Sequence, residues 1–537
     1  MSHRLTRRRF RDAASIERWR GYDDAVFTQI GASREVVAAL QTGLQGWVVL
    51  PGDADYDKDR MLSDAKFDPH PYIIIYCVVE NDVRLALNLA WGSNLPPTIR
   101  SGGHCTAGYS AGSGMLIDVS NLNQVVIDPV NLTATVGCGC NFAMLNAALD
   151  EYGLHVPGGE CDEVCVGGYM QGGGQGLTSR TFGMHSDNVI EVRVMLADGS
   201  IVTAGPAMNE DLWWAVRGGT GGNFGVVLTE VVQLRRLGPV YGWAVRWPLS
   251  TNQDRANAMG ALLLLQAQYM LTAPDELNPQ VMICYQSESG PGSSFLPYLM
   301  IRGLDTRGAE VGRAVYEAFG ALPGATMQYD LTDKFSVVNK TLLESPNEIP
   351  QLPTTVWPPE DKQARYVARD LAPEEWFALL DFYVTTPNPY SYICLELYGG
   401  AMNRYPIEQS AFIHRSSAFS AFMDVFWYMP EDQAAAEQFL AAFCDMMASM
   451  WNGEVYQNYP SPNVPDYRKN YWGAAFPALL AVKQKYDPQN FFRFEQMISP
   501  YPDGSTGAEP GQQLWPPAIA EALRQPIERD VIPNAGR

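Results

Sequence analysis

The sequence predicts an α+β fold, in which helices and strands are mixed. Before about residue 238, short apolar strand-like runs are separated by predicted helices and several glycine-rich loops. After that point glycine becomes rarer, and long helical patterns alternate with strand-like runs. The 537 residues suffice for three or four domains of about 150 residues, or for two large ones. The change in texture near residue 238 favours a domain boundary there.

The first half of the chain opens with a strand, a helix and a second strand. Pro71–Val79 is apolar and β-branched, which predicts a strand. Asn81 and Asp82 can cap a helix that runs to about Trp91. Pro96–Ile99 predicts a strand that leads into a glycine turn. The further predicted elements are a strand in Gly112–Asn121, a strand in Asp128–Val136, a helix over Asn141–Tyr152, a hairpin over Asn188–Ala204 that turns at Asp198-Gly199, and a helix over Asp211–Arg217.

The second half, from about Pro239, carries longer patterns. The helical ones are Asn252–Met270, Arg307–Phe319, Glu374–Tyr383 and Pro430–Met450, and the strand-like ones are Gln280–Tyr285, Tyr392–Leu397 and Phe419–Tyr428.

Charge excludes one class of partner. The chain has a net charge of −21, and its first 20 residues carry +5, which leaves −26 for the rest. A protein with this much negative charge repels the phosphate backbones of nucleic acids. We therefore expect no nucleic-acid partner. No apolar run reaches the ~18 residues of a membrane span.

The basic start, Met1–Phe10, looks like the opening of a twin-arginine export signal, but no apolar segment follows it. The residues that follow, Arg11–Gly21, are mostly polar and charged, so we interpret this start as a solvated basic helix or arm. We expect a soluble, cytoplasmic protein, with export left open. The nine Cys are an odd number spread along the chain, and they suggest neither a disulfide framework nor a metal site.

Six short motifs follow one another in a fixed order. They are Arg100–His104 (Arg-Ser-Gly-Gly-His), Gly159–Gly168, Gly172–Gly176, Asp198-Gly199, Trp214–Val227 and Lys485–Gln496. Glycine clusters let the backbone approach a ligand closely. None of these clusters is a Rossmann fingerprint or a P-loop. Together they resemble the berberine bridge enzyme-like branch of the vanillyl-alcohol-oxidase flavoproteins, over roughly residues 71–227 and 456–500.

The resemblance implies an architecture of two domains. A PCMH-type FAD-binding domain with two subdomains would use both ends of the chain, residues 1–238 and 455–537, with the C-terminal family segment at about 455–500. A substrate-binding domain, residues 239–454, would be an antiparallel sheet covered by helices.

The resemblance also implies FAD, covalently attached through His104 and Cys161. His104 would bond the flavin 8-methyl carbon and Cys161 ring carbon 6. Cys165 rivals Cys161, and we interpret it as a small buried residue. Val164 matches the position that admits oxygen in this family, which favours O2 as electron acceptor. The other implied cofactor-binding residues are Arg100, Ser101, Gly102, Gly103, Gly167, Gly168, Gly172, Gly173, Gly174, Gly176, Asn223, Gly225, Val226, Val227 and Asn490.

Two tyrosines are the candidate catalytic residues. Tyr459 ends a Tyr-x-Asn-Tyr segment and matches the general base of related oxidases, so we expect its pKa to be lowered. Tyr398 would stabilise the phenolate or orient the substrate. Glu396 shares a strand face with Tyr398 and is either a pocket carboxylate or an outer salt-bridge partner. Asp424 is the carboxylate nearest to the position used by plant alkaloid enzymes, with its register open.

These residues favour an FAD-dependent oxidase that acts on an alcohol, either an oligosaccharide or a secondary-metabolite hydroxyl, and produces hydrogen peroxide. One alternative is a tailoring enzyme that forms a ring or a double bond by dehydrogenation. Another is a flavin-binding scaffold without catalysis. The expected partners are a small alcohol and O2, with no metal and no membrane.

Overall fold

The computed structural model describes residues 13–287, 295–344 and 358–499. The helices are α1 (Ala13–Trp19), α2 (Asp24–Ile30), α3 (Arg34–Gly43), α4 (Tyr56–Asp59), α5 (Glu80–Gly92), α6 (Phe142–Asp150), α7 (Val166–Gln171), α8 (Ser179–Phe182), α9 (Glu210–Val216), α10 (Asn252–Leu264), α11 (Ala309–Gly320), α12 (Phe335–Glu344), α13 (Pro373–Tyr383), α14 (Gly400–Arg404), α15 (Gln433–Met447), α16 (Tyr467–Trp472) and α17 (Phe476–Tyr486). None of these helices is long and apolar enough to cross a bilayer.

Eighteen strands lie in the same described ranges. They are β1 (Trp47–Val49), β2 (Ile73–Tyr76), β3 (Pro97–Arg100), β4 (Met115–Asp118), β5 (Val125–Asp128), β6 (Thr133–Gly137), β7 (Leu154–His155), β8 (Val189–Met195), β9 (Ile201–Ala204), β10 (Val226–Gln233), β11 (Arg235–Arg236), β12 (Val240–Pro248), β13 (Leu277–Ser287), β14 (Phe295–Asp305), β15 (Thr326–Asp333), β16 (Glu360–Val367), β17 (Tyr392–Leu397) and β18 (Phe419–Phe426). The predicted mixture of helices and strands is confirmed.

The first sheet has the order β1-β2-β4-β3. Strands β2 and β3 lie parallel to β4, with α5 as the connection between β2 and β3. A parallel pair needs such a crossover, and the predicted strand, helix and strand are all present. The last residue of β3 is Arg100, so the glycine turn begins where the strand ends.

The second sheet has the order β5-β6-β10-β8-β9 and is antiparallel. Met195 in β8 pairs with Ile201 in β9. The amide of Gly199 donates to the Leu196 carbonyl at 3.0 Å, and Gly199 has φ +79°. The hairpin predicted at Asp198-Gly199 is therefore confirmed, because glycine supplies the positive φ that the turn requires.

The third sheet is antiparallel, with the order β15-β12-β14-β13-β17-β18-β16. The two faces of this sheet pack into different hydrophobic cores. Residues such as Val281, Ile393 and Met423 belong to one hydrophobic core with the helices α10, α13 and α15. Alternate residues such as Met282 and Cys394 belong to the core of the glycine-rich half. The sheet thus separates a helical layer from the glycine-rich region.

Several predictions for this sheet and for the N-terminus need correction. The sequence predicted only three of the seven strands and missed β12, β14, β15 and β16. The basic segment 1–12 lies outside the described residues. The prediction of a solvated helix is wrong for Trp19, which is fully buried in α1 and donates its indole N–H to Asp53 at 3.3 Å.

Lys483 attaches the C-terminal segment to the glycine-rich half. Its side chain is buried, and its ammonium donates to Asp487 Oδ2 at 2.7 Å. It also donates to the carbonyls of Asn223 at 2.6 Å and Phe492 at 2.7 Å. The amide of Ile498 donates to Asn223 Oδ1 at 2.8 Å. Three oxygen acceptors satisfy the buried ammonium, as such burial requires.

We expect Lys483→Met to lower the free energy of unfolding by ~3–5 kcal/mol, because it leaves the Asp487 carboxylate buried without its cation. Lys485→Met, two residues along α17, is the matched control. Lys485 pairs with Asp211 at the surface, where both side chains are more than a third exposed, so its loss should cost at most ~1 kcal/mol. Urea titration measures both, and equal effects would contradict the prediction.

Candidate functional site

The turn Arg100–His104 is anchored by a buried arginine. The Nε atom of Arg100 donates to Asp118 Oδ2 at 2.5 Å, and Nη2 donates to the Tyr76 hydroxyl at 3.3 Å. Gly103 has φ +75°. A Cβ atom on Gly102 would lie 3.1 Å from the Cys165 sulfur. The turn therefore packs directly against the Cys161–Cys165 segment and places the half-buried His104 beside it.

Cys161 lies in a cleft. Its side chain is exposed, yet the surrounding protein desolvates the thiol and raises its pKa to about 12. Both properties hold for a group that lines an open concave surface. The Val164 carbonyl accepts from the Phe142 amide at 3.1 Å, and its half-buried side chain packs against the core. Cys165 is buried, with Sγ 3.3 Å from the Gly139 carbonyl, which confirms the interpretation of a small buried residue.

The glycines around this cleft serve two different purposes. A Cβ atom on Gly167 would lie 2.6 Å from the Cys138 carbonyl, and one on Gly176 would lie 1.8 Å from the Gly158 carbonyl. These glycines are needed for close packing of the protein itself. Gly168 differs, because it is exposed and a Cβ there would meet no protein atom within 4 Å. Exposed backbone beside the cleft at Gly168 and Cys161 fits a ligand that needs close backbone approach, as FAD would.

The Gly172–Gly174 run carries two positive φ angles, +113° at Gly173 and +82° at Gly174. The amides of Gly174 and Gln175 both donate to the Tyr456 hydroxyl, at 3.0 and 3.1 Å. Asn458 Nδ2 donates to the same oxygen at 3.1 Å. Tyr456 therefore joins the C-terminal segment to the glycine run, a role that sequence reasoning missed.

Five further residues predicted to bind the cofactor are Asn223, Gly225, Val226, Val227 and Asn490. Asn223 donates to the Gly219 carbonyl at 2.9 Å and also accepts from Ile498. Gly225 and Asn490 have positive φ angles. The side chains of Val226 and Val227 are buried at the start of β10. A direct role of these five residues toward FAD stays a prediction.

Tyr459 and Glu396 form a hydrogen-bonded pair. The Tyr459 hydroxyl donates to Glu396 Oε1 at 2.6 Å, although 63 residues separate the two. Burial raises the pKa of Glu396 to about 8. Burial and the Glu396 charge raise the pKa of Tyr459 well above its usual range. The expected lowering of the Tyr459 pKa is therefore wrong, while Glu396 lies inside the site and not at an outer salt bridge.

Tyr398 is fully buried, and its hydroxyl lies 2.7 Å from that of Tyr366. The Tyr366 ring stacks on His414, with 4.4 Å between ring centroids. The expected support of the Tyr459 phenolate by Tyr398 is therefore not made by a hydrogen bond between them. Tyr398 instead belongs to a layer of rings beneath the site.

Lys362 was also missed by the sequence analysis. Its ammonium lies 2.8 Å from Asp424 Oδ2 and 4.5 Å from the centroid of the Tyr459 ring. Tyr392 donates to the same carboxylate oxygen at 2.7 Å. The register pairs Lys362 in β16 with Asp424 in β18. The signal was the run of three charged residues at Glu360–Lys362, which is unusual for a buried strand.

Two family models match this chain. Residues 71–205 match the model described as FAD binding domain, and residues 455–499 match the one described as berberine and berberine like. These ranges contain His104, Cys161 and Tyr459. The region between residues 205 and 455 contains the seven-stranded sheet.

Relatives extend this likeness over most of the chain. The uncharacterized FAD-linked oxidoreductase YvdP of Bacillus subtilis is 26% identical over 467 residues, which are 86% of this chain and 99% of the relative. The structure of BBE-like 1 of Physcomitrella patens has a TM-score of 0.75 at 24% identity. The match covers 86% of this chain and 99% of the BBE-like 1 chain. The xylooligosaccharide oxidase of Myceliophthora thermophila, solved with xylobiose, has a TM-score of 0.74 at 22% identity. The match covers 87% of this chain and 99% of the oxidase chain. The two structures show a shared fold.

We expect Gly168→Leu to reduce the flavin content of the purified protein, since the new side chain would occupy the open cleft without displacing protein atoms. Gly260→Leu, on helix α10, is the matched control, because a Cβ there also meets nothing within 4 Å. The ratio of flavin absorbance to protein absorbance measures the effect. Equal flavin content in both variants would show that Gly168 does not face the cofactor.

Proposed function

The chain belongs to the berberine bridge enzyme-like FAD-linked oxidoreductases, and from this premise we propose that it oxidises an alcohol with O2 as electron acceptor. The observation that carries the proposal is the 2.6 Å hydrogen bond from Tyr459 to Glu396. Oxidation of an alcohol removes a hydride from carbon and a proton from oxygen. A hydroxyl that already donates to a carboxylate is suited to accept that proton.

The pair acts as a relay. Tyr459 is unsuited to a free phenolate, since its pKa lies well above the usual range. It passes its own proton to Glu396 as it takes the proton of the substrate hydroxyl. Glu396, with its pKa raised to about 8 by burial, is a stronger base than an ordinary carboxylate. The carboxylate is thus the final proton acceptor, and Tyr459 is the group that touches the substrate.

FAD, when bound, supplies the hydride acceptor, and O2 then takes two electrons and two protons to give hydrogen peroxide. His104 and Cys161 would hold it covalently. Each bond replaces a hydrogen on the protein group and one on the flavin carbon, and the two electrons and two protons released pass to an oxidant such as O2. Val164, half-buried three residues after Cys161, would border the path of that O2.

Two carboxylates on the face of the seven-stranded sheet opposite helices α10, α13 and α15 indicate the substrate class. Glu396 Oε2 and Asp424 Oδ1 are buried acceptor atoms without a hydrogen-bond partner, and such atoms favour a ligand rich in donors. A polyhydroxylated alcohol provides them, as a xylooligosaccharide would. We propose that residues 239–454 bind this substrate over the flavin and that residues 1–238 and 455–537 bind FAD.

We expect Tyr459→Phe to keep the flavin bound and to slow its reduction by a responsive alcohol at least ~100-fold, in the range of general acid–base catalysis. A panel of oligosaccharides and secondary-metabolite alcohols, read by peroxide release, first identifies that substrate. Stopped-flow absorbance without oxygen then measures the reduction. Tyr383→Phe is the matched control, because this buried tyrosine belongs to the helical core and donates to Ser391. Unchanged reduction in Tyr459→Phe would refute the assignment.

We expect the reduction rate to rise with pH around the pKa of Glu396, about 8, because only its deprotonated form accepts the proton. Glu396→Gln should lower the rate and remove this rise. Lys362→Met should move the rise to higher pH, since the Lys362 charge lowers the pKa of Glu396. The same stopped-flow assay across the pH range measures all three proteins. A rate that is constant with pH in the unmodified enzyme would contradict the relay.

A further inference from the structure

Glu160 immediately precedes Cys161, and both of its carboxylate oxygens are bound by the seven-stranded sheet. Arg302 Nη2 lies 2.7 Å from Glu160 Oε2. The side-chain amide of Gln280 donates to Oε1. Arg302 Nε also donates to Gln280 Oε1 at 2.6 Å. These three residues form a closed set of hydrogen bonds, which we call the Glu160 clamp.

The clamp has a rigid base. Gln280 in β13 and Arg302 in β14 are paired across the two strands. Both side chains are buried, with exposed fractions of 2% and 1%. Arg302 donates a further hydrogen bond to the Leu342 carbonyl in α12. The clamp therefore presents a fixed two-donor receptor, which binds a carboxylate with defined geometry.

The opposite side of the Cys161 segment is held by a different element. The carbonyl of Asp162 accepts from the Ala143 amide at 3.0 Å, and that of Val164 accepts from Phe142 at 3.1 Å. Both donors lie at the start of α6. Cys161 is thus suspended between the clamp and α6, with its own side chain exposed to the cleft. The backbone on both sides of the thiol is fixed, while the sulfur is left open.

We propose that Glu160, Gln280 and Arg302 are positioning residues that hold the Cys161 thiol where it bonds to the flavin. The inference rests on the proposed attachment through Cys161. In net terms the thiol S–H and one ring C–H are replaced by a C–S bond, and two electrons and two protons pass to O2. Such a bond forms only when the sulfur lies within contact distance of one ring carbon. A misplacement of about 1 Å can cost ~100-fold in rate.

A buried cation–carboxylate set of this kind is weak evidence for stability, because desolvation offsets much of the attraction. Positioning accounts for features that stability does not. The clamp joins two parts of the chain more than 100 residues apart in sequence, and it does so at the residue next to the thiol. It therefore ties the location of one flavin link to the sheet that we propose binds the substrate.

The test compares flavin attachment at two sites in purified holoenzymes. After proteolysis, mass spectrometry gives the fraction of flavin on the peptide that contains Cys161 and on the one that contains His104. In Glu160→Ala we expect the Cys161 fraction to fall by about threefold or more and the His104 fraction to stay as in the unmodified enzyme. Glu160→Gln should lie between, since its amide oxygen still accepts from Arg302.

Two further variants complete the design. Arg302→Met should give the same result as Glu160→Ala. If Arg302→Met does not fold, the result for Glu160→Ala decides the test. Arg313→Met is the matched control, because Arg313 pairs with Asp330 on the same sheet at 2.9 Å, where both side chains are at least 36% exposed. It should leave both peptides unchanged.

The outcomes separate the clamp from the attachment. An unmodified enzyme without flavin on the Cys161 peptide would overturn the attachment and the clamp together. Full occupancy of Cys161 in Glu160→Ala would overturn the clamp alone. An equal fall on both peptides would also overturn it, because that pattern indicates a general folding defect.

Discussion

The site depends on one constraint, the return of the C-terminal segment onto the glycine-rich half. The buried Lys483 ammonium binds Asp487 and the Asn223 carbonyl. Asn458 donates to the carbonyl of Tyr169 in α7, and Gln457 donates to the carbonyl of Gly218, which begins the glycine-rich loop after α9. These bonds carry Tyr459 beneath the seven-stranded sheet. Without these bonds Tyr459 would not lie beside Glu396, which is 63 residues away in sequence.

The second organising feature is the unequal character of the two faces of that sheet. One face is apolar and covered by helices. The other includes Lys362, Tyr366 and Glu396, side chains that are usually exposed or only partly buried. Burial of a carboxylate favours its neutral form, which is why the pKa of Glu396 rises to about 8. The same burial that would destabilise an ordinary core makes the deprotonated form of this residue a stronger base than an ordinary carboxylate, and that form is populated mainly above about pH 8.

The sequence predicted the glycine-rich half better than the sheet. The hairpin at Asp198-Gly199 was readable because its signal is local. Strand β12 (Val240–Pro248) is buried on both faces, so it lacks the alternation that marks a strand. Strand β16 (Glu360–Val367) carries charged residues inward, so its composition resembles a solvated segment.

The candidate site shows the same division. His104 and Cys161 could be named as candidates because each lies within a short motif, and their attachment to FAD stays a prediction. The pairing of Tyr459 with Glu396 was not, because only the fold brings them to 2.6 Å. The sequence also gave no sign that burial would raise the pKa of Tyr459, since that shift depends on surroundings built from distant strands.

The Glu160 clamp bears on attempts to change what this enzyme accepts. Gln280 and Arg302 lie on the face of the sheet that we propose binds the substrate, and a library aimed at new substrates would randomise that face first. Both also hold the residue beside Cys161. On that proposal, substitutions there would alter selectivity and the flavin bond at Cys161 at once, and a screen that reads only product would confuse the two. Libraries that leave these two positions fixed would keep the bond at Cys161 unchanged while selectivity is varied.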